Sequence, residues 1–256
     1  MQSLKGRTCI FAGGCGGDGV DAVKSLCQGG MNVAIMTHQP IRARRLQEEI
    51  SKCNYPGECI VVQDGNTQLP PISDEEVFRQ VAERFGGIDV VVCNTGDNGG
   101  EDSIDTVDIS QLMAEIEHLM GGNYHMLKCA LPYLRRSAAP RVILMTSVEG
   151  ARGGNRGSFV NAVARGAVLA LAKNCAARLA TENINVNCIQ KGLIQRLETP
   201  LDSESRERMS SAKGCIPRGR IGTPQDLAGA VCFLASEEAA YLTGAVLDLS
   251  GGMSLI

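Results

Sequence analysis

Short apolar runs alternate along the whole chain with longer stretches in which apolar residues recur at helical spacing. Segments 8–12, 32–36, 59–62, 88–93, 142–147, 184–189 and 246–249 are short enough for strands. Several, such as Val90-Val91-Val92-Cys93, are apolar at every position, the pattern of parallel strands covered on both faces. Segments 20–28, 41–52, 74–85, 110–136, 158–181 and 224–235 carry the helical period. Strand–helix alternation with short connections predicts an α/β fold, an open doubly wound parallel sheet forming one domain over 1–256. Segment 192–222 predicts a loop with a short helix near 203–213.

Composition narrows the function classes. The chain has 256 residues, 44% hydrophobic and 21% charged, with a net charge of -3, ordinary for a globular domain. No basic face is clustered enough for nucleic acid. No stretch approaches the roughly 20 apolar residues of a membrane span, and the start, MQSLKGRTCIFAGG, has no signal-sequence core. Eleven scattered cysteines without a Cys-x-x-Cys pair predict reduced thiols in a cytoplasmic protein, with no disulfide framework and no metal centre. With 4% aromatics and no Trp, the core must be aliphatic.

The first predicted strand runs into Ala12-Gly13-Gly14-Cys15-Gly16-Gly17-Asp18-Gly19, and a helix follows. Gly13, Gly17 and Gly19 stand at a spacing that lets a backbone approach a diphosphate at a helix N-terminus. Asp18 places a carboxylate there. At about 5 Å and an effective dielectric of ~20, its repulsion of a phosphate is on the order of 3 kcal/mol. Either Asp18 occupies the anion site and satisfies the helix N-terminus itself, or it is a solvated cap. After the second strand no acid stands ready for a ribose. Arg42, Arg44 and Arg45 suit either a 2′-phosphate or a solvated helix face.

Ser147 ends a predicted strand and is followed by Val148-Glu149-Gly150. Beyond lies Ser158-Phe159-Val160-Asn161-Ala162-Val163-Ala164-Arg165-Gly166, and Pro217–Gly222 precedes a closing Asp248-Leu249-Ser250-Gly251-Gly252. With the glycine turn, Asp64 and Cys93-Asn94-Thr95-Gly96, these runs resemble the short-chain dehydrogenase/reductase family over the whole chain. The resemblance implies a Rossmann-type, three-layer α/β/α domain and an NAD(P) cofactor near Gly13, Gly17, Gly19, Asp64, Asn94 and Gly96. It also implies a catalytic Ser, Tyr and Lys with a helical Asn. Ser147 is retained. The tyrosine position is Val160, the lysine position Ala164 and the asparagine position Leu119, with Asn123 one turn later. The family's Pro and nicotinamide-contacting Thr beyond the sixth strand correspond to Lys191 and Arg196. Two cations there either disfavour an oxidised nicotinamide or point to solvent.

Val and Ala have no proton to move, so these positions predict a catalytically inactive homologue with no intact catalytic set. Its expected cofactor is none or a weakly bound, vestigial NAD(P). The family forms dimers and tetramers through its long helices and C-terminal region. The expected partner is therefore an active paralogue, completed by this chain as a structural or regulatory subunit. Such active/inactive pairs include hydroxybenzylsuccinyl-CoA dehydrogenase, whose non-catalytic subunit is one candidate counterpart. Two alternatives stand beside this reading. One is an NAD(P)-dependent alcohol or ketone oxidoreductase with a displaced acid, at Glu149, His118 or His125. The other is a nucleotide-responsive regulator without turnover.

Overall fold

The computed structural model describes residues 2–63, 73–96, 102–153, 158–195 and 213–255. Strands β1 (Thr8–Ala12), β2 (Asn32–Thr37), β3 (Cys59–Gln63), β4 (Val90–Cys93), β5 (Arg141–Ser147), β6 (Asn185–Lys191) and β7 (Val246–Leu249) form one sheet. Its order is β3-β2-β1-β4-β5-β6-β7, and every pairing is parallel. The winding reverses between β1 and β4, which opens a crevice at the C-terminal ends of these strands.

Alternation along the strands builds two cores. Cys9, Phe11, Val90, Val92, Ile143 and Met145 face α1 (Val20–Gln28), α2 (Pro40–Lys52) and the last long helix. Ile10, Val91, Cys93, Val142 and Leu144 face the opposite layer. That layer holds α3 (Asp74–Phe85), α4 (Ile109–Ile116), α5 (Gly122–Leu134) and α7 (Phe159–Leu179); the short α6 is Val148–Arg152 and the last helix, α8, is Pro224–Ala235. Starts are fixed chemically. Ser73, Ser158 and Thr223 each accept an amide hydrogen bond from three residues on, and Asp108 with Gln111 closes a reciprocal cap.

The predicted helix over 110–136 is instead two α-helices joined by a π turn, Glu117–Gly121. Gly121-Gly122 weakens the helical ladder there, and the Asn123 amide donates to the Leu119 carbonyl. Strand ends shift because pairing outruns hydrophobicity: β6 continues to Lys191, which pairs with Ser147 of β5. The helix expected near 203–213 lies almost wholly outside the described residues, whereas Ile194 and Gly222 bracket that segment in a parallel bridge.

Candidate functional site

The glycine-rich turn is dictated by crowding at the crevice. Gly13 has φ of +76°, and a Cβ there would sit 2.2 Å from the Asn94 carbonyl oxygen. A Cβ on Gly19 would lie 2.7 Å from the Gly13 carbonyl oxygen and 3.3 Å from Asn94 Nδ2. The turn and the end of β4 are thus pressed together, and only glycine fits either position. Gly17, with φ of +35°, precedes Asp18, and the Gly19 amide donates to the Gly16 carbonyl. Asp18 is carried at the tip of this turn, above the strand ends.

There Asp18 meets two residues that are distant in sequence. Lys191 Nζ donates to Asp18 Oδ2 at 2.7 Å and to Asn94 Oδ1 at 2.8 Å, and Asn94 Nδ2 donates to Asp18 Oδ1 at 2.9 Å. The three side chains close a ring across β1, β4 and β6. Asn94 is buried, and the charged side chains of Lys191 and Asp18 are each only 16% exposed. The solvated-cap expectation for Asp18 is corrected: its carboxylate is paired with Lys191 and Asn94 and only 16% exposed. The solvent-facing reading of Lys191 is corrected too, because the register that extends β6 aims its ammonium into the crevice.

The positions matched to catalytic residues are apolar and packed. Leu119 and Ala164 are fully buried in the core, and Val160 is half-buried at the start of α7. Asn123 is buried and bonds within its own helix to the Leu119 carbonyl, so it is a helix-interface residue. Ser147 accepts the Gly150 amide at 3.3 Å as the cap of α6. His118 Nε2 lies 3.1 Å from the Gly96 carbonyl oxygen, which places it at the rim of the crevice. His125 is on another face, against Asp74. Glu149 is half-buried in the first turn of α6. Asp64 and Arg196 lie outside the described residues.

Two residues of the site carried no motif signal. Arg165, next to Ala164, is buried; its guanidinium donates to the Met145 carbonyl at 3.1 Å, the Thr95 carbonyl at 2.9 Å and Asn161 Oδ1 at 3.3 Å. One planar cation so ties the ends of β4 and β5 to α7. Asp102 accepts the Ser158 hydroxyl at 2.7 Å, the Val160 amide at 3.3 Å and the Phe159 amide. Its carboxylate fills the positive end of α7 beside the tyrosine position. Arg165 to Thr95 and Asp102 to Ser158 join segments more than fifty residues apart, a pairing that local sequence pattern does not reveal.

A family model described as enoyl-(acyl carrier protein) reductase matches residues 17–254. The 3-oxoacyl-(acyl-carrier-protein) reductase FabG of Vibrio cholerae is 28% identical, with all of both chains covered. The L-fucose dehydrogenase of Mus musculus is 30% identical over 100% of this chain and 91% of its own. A short-chain dehydrogenase/reductase mutant from Serratia marcescens superposes with a TM-score of 0.85 at 23% identity, covering 98% of this chain and 99% of that one. The chain belongs to the short-chain dehydrogenase/reductase family, a family of NAD(P)-dependent oxidoreductases. Its fold is the expected single Rossmann-type three-layer domain. No helix among the described residues is long and apolar enough to cross a membrane.

Proposed function

We propose that this chain is a non-catalytic member of its family, one that contributes structure or regulation to an assembly with an active relative. The observation that carries this reading is the closed Asp18–Asn94–Lys191 ring at the glycine turn, in a chain with apolar residues at the expected acid–base positions. A cofactor diphosphate approaching the glycine turn meets a carboxylate that is already pinned in place. The ring's cation is spent on that carboxylate and on Asn94. The residues present do not fit NAD(P) as the family holds it: Ala164 offers no ammonium to a ribose, and Val160 offers no hydroxyl to a substrate oxygen.

The surface supports the partner role. In α7 the buried stripe is Ala164, Val168, Ala172, Ala176 and Leu179. Val163 and Ala170 are exposed on the outer face of the same helix, and Ile109 and Met113 of the adjacent α4 are exposed as well. Light scattering on the chain, alone and mixed with an intact family member from the same genome, tests the role. A dimer or tetramer supports it, and a monomer in both samples overturns it.

A second reading has the names of the relatives in its favour, since these are a reductase and a dehydrogenase. It makes this chain an NAD(P)-dependent oxidoreductase with Glu149 or His118 as the displaced acid. A nucleotide-responsive regulator differs from both in binding NAD(P) without turnover.

A further inference from the structure

A second cluster of reactive side chains lies away from the crevice, where α3 meets α5. His125 and Cys129 are four residues apart on α5 and therefore stack on one face of that helix. Asp74 and Glu75 open α3, directly after its cap Ser73. His125 Nε2 lies 3.0 Å from Asp74 Oδ2 and 3.7 Å from Cys129 Sγ. Ligand atoms of Glu75, His125 and Cys129 all fall within 4.8 Å of one another.

We propose that Glu75, His125 and Cys129, with Asp74 beside them at the histidine nitrogen, form a binding site for a zinc-like divalent cation. Two other readings of the cluster fit its geometry less well. In a cysteine–histidine–acid relay the thiol and the acid engage opposite nitrogens of the imidazole. Here Cys129 and Asp74 both face Nε2, so one nitrogen would have to serve both. A plain surface ion pair accounts for Asp74 and His125 but not for the convergence of Glu75 and the buried Cys129 sulfur. A cation placed among Glu75, His125 and Cys129 satisfies those three, with Asp74 at the border of the site.

The donor set and the distances agree with zinc. Cysteine, histidine and carboxylate are its preferred protein ligands. A tetrahedral ion with bonds of about 2.3 Å to sulfur and about 2.0 Å to nitrogen holds those two atoms about 3.5 Å apart. The observed 3.7 Å needs almost no adjustment. Without a cation, burial first, and then the neighbouring Glu75 and Asp74, push the Cys129 thiol up to about 11, so it is a poor nucleophile at neutral pH. The sequence predicted no metal centre because the pairs come from helices some fifty residues apart and no Cys-x-x-Cys marks them. A bound ion would clamp α3 to α5, the helix that continues from the π turn beneath the crevice.

Titration of the full chain with zinc chloride against a chromogenic chelator tests the site, with cobalt(II) as a spectroscopic substitute. One tight equivalent is expected, with a sulfur-to-cobalt charge-transfer band. Cys129→Ser should abolish the band, and His125→Ala should weaken binding at least tenfold. His125 is half exposed, so that variant keeps its fold; melting temperature without metal checks this. Cys53→Ser and Cys215→Ser, at exposed thiols elsewhere, should change nothing. Absence of a stoichiometric equivalent overturns the proposal, as does binding that survives both Cys129→Ser and His125→Ala.

Discussion

Breaking the Asp18–Lys191 pair probes the ring at the crevice through stability. At 2.7 Å and an effective dielectric of ~20, the pair's attraction is about 6 kcal/mol, most of it offset by desolvation of the two ions. Removing one partner of a fully buried pair costs about 3–5 kcal/mol, because the survivor stays buried without a counter-charge. Each side chain keeps 16% exposure and Asn94 still accepts from Lys191, so Asp18→Ala should cost about 2–3 kcal/mol. Lys191→Met should cost about as much. For a chain of this size that is a fall in Tm of about 5–10 °C by calorimetry. The double variant should cost no more than either single variant, giving a coupling energy of about 2–3 kcal/mol. Additive single effects, each within about 0.5 kcal/mol, would refute the reasoning and leave the ring a solvated contact.

Nucleotide affinity should follow the same ring. The wild type should bind NAD and NADP weakly or not at all by titration calorimetry, and Asp18→Ala with Lys191→Met should gain about tenfold or more; low-micromolar binding unchanged by Asp18→Ile would contradict this. Arg165→Met should cost about 2–4 kcal/mol, since it strands the Met145 and Thr95 carbonyls, and Arg165→Lys should restore little of it because an ammonium cannot span both. Ala170→Glu should dissociate the assembly in light scattering while leaving the circular dichroism of the chain unchanged. The Asp226 carboxyl is held well below its usual range by Arg220 and by the Thr223 amide at the start of α8. A depressed carboxyl stabilises the fold fully above the unfolded pKa of about 3.9, and that stability drains as pH falls through the folded value. Asp226→Asn should therefore flatten the acid limb of a Tm-against-pH curve.

Most of the framework was legible because local pattern and tertiary packing agree. The apolar strands β1, β4 and β5 are buried on both faces, and α1, α3 and α8 begin and end where the sequence places them. The long helix predicted over 110–136 departs from a regular α ladder at the π turn before Gly122, where a side-chain amide competes with the ladder. At the site, counting along the chain singled out Leu119, Val160 and Ala164 as the expected positions of the family's catalytic residues. It could not find their surroundings. The sequence left Lys191 between a nicotinamide-facing and a solvent-facing position, and only strand pairing aims it at Asp18, while Arg165 and Asp102 reach Thr95 and Ser158 more than fifty residues away. Such contacts depend on the three-dimensional closure of β4, β5 and β6, which no periodicity encodes.

Steady-state hydride transfer by the purified chain measures whether it has chemistry of its own. The chain would be supplied with NADH and NADPH and a panel of ketones that includes 3-oxoacyl thioesters, and with NAD and NADP and the corresponding alcohols. No turnover is expected above a blank carried through the same purification, because a missing acid–base group alone costs about 10²–10⁴-fold and neither Val160 nor Ala164 can supply one. Turnover that disappears in Glu149→Gln or His118→Ala would contradict this and establish a displaced catalytic acid.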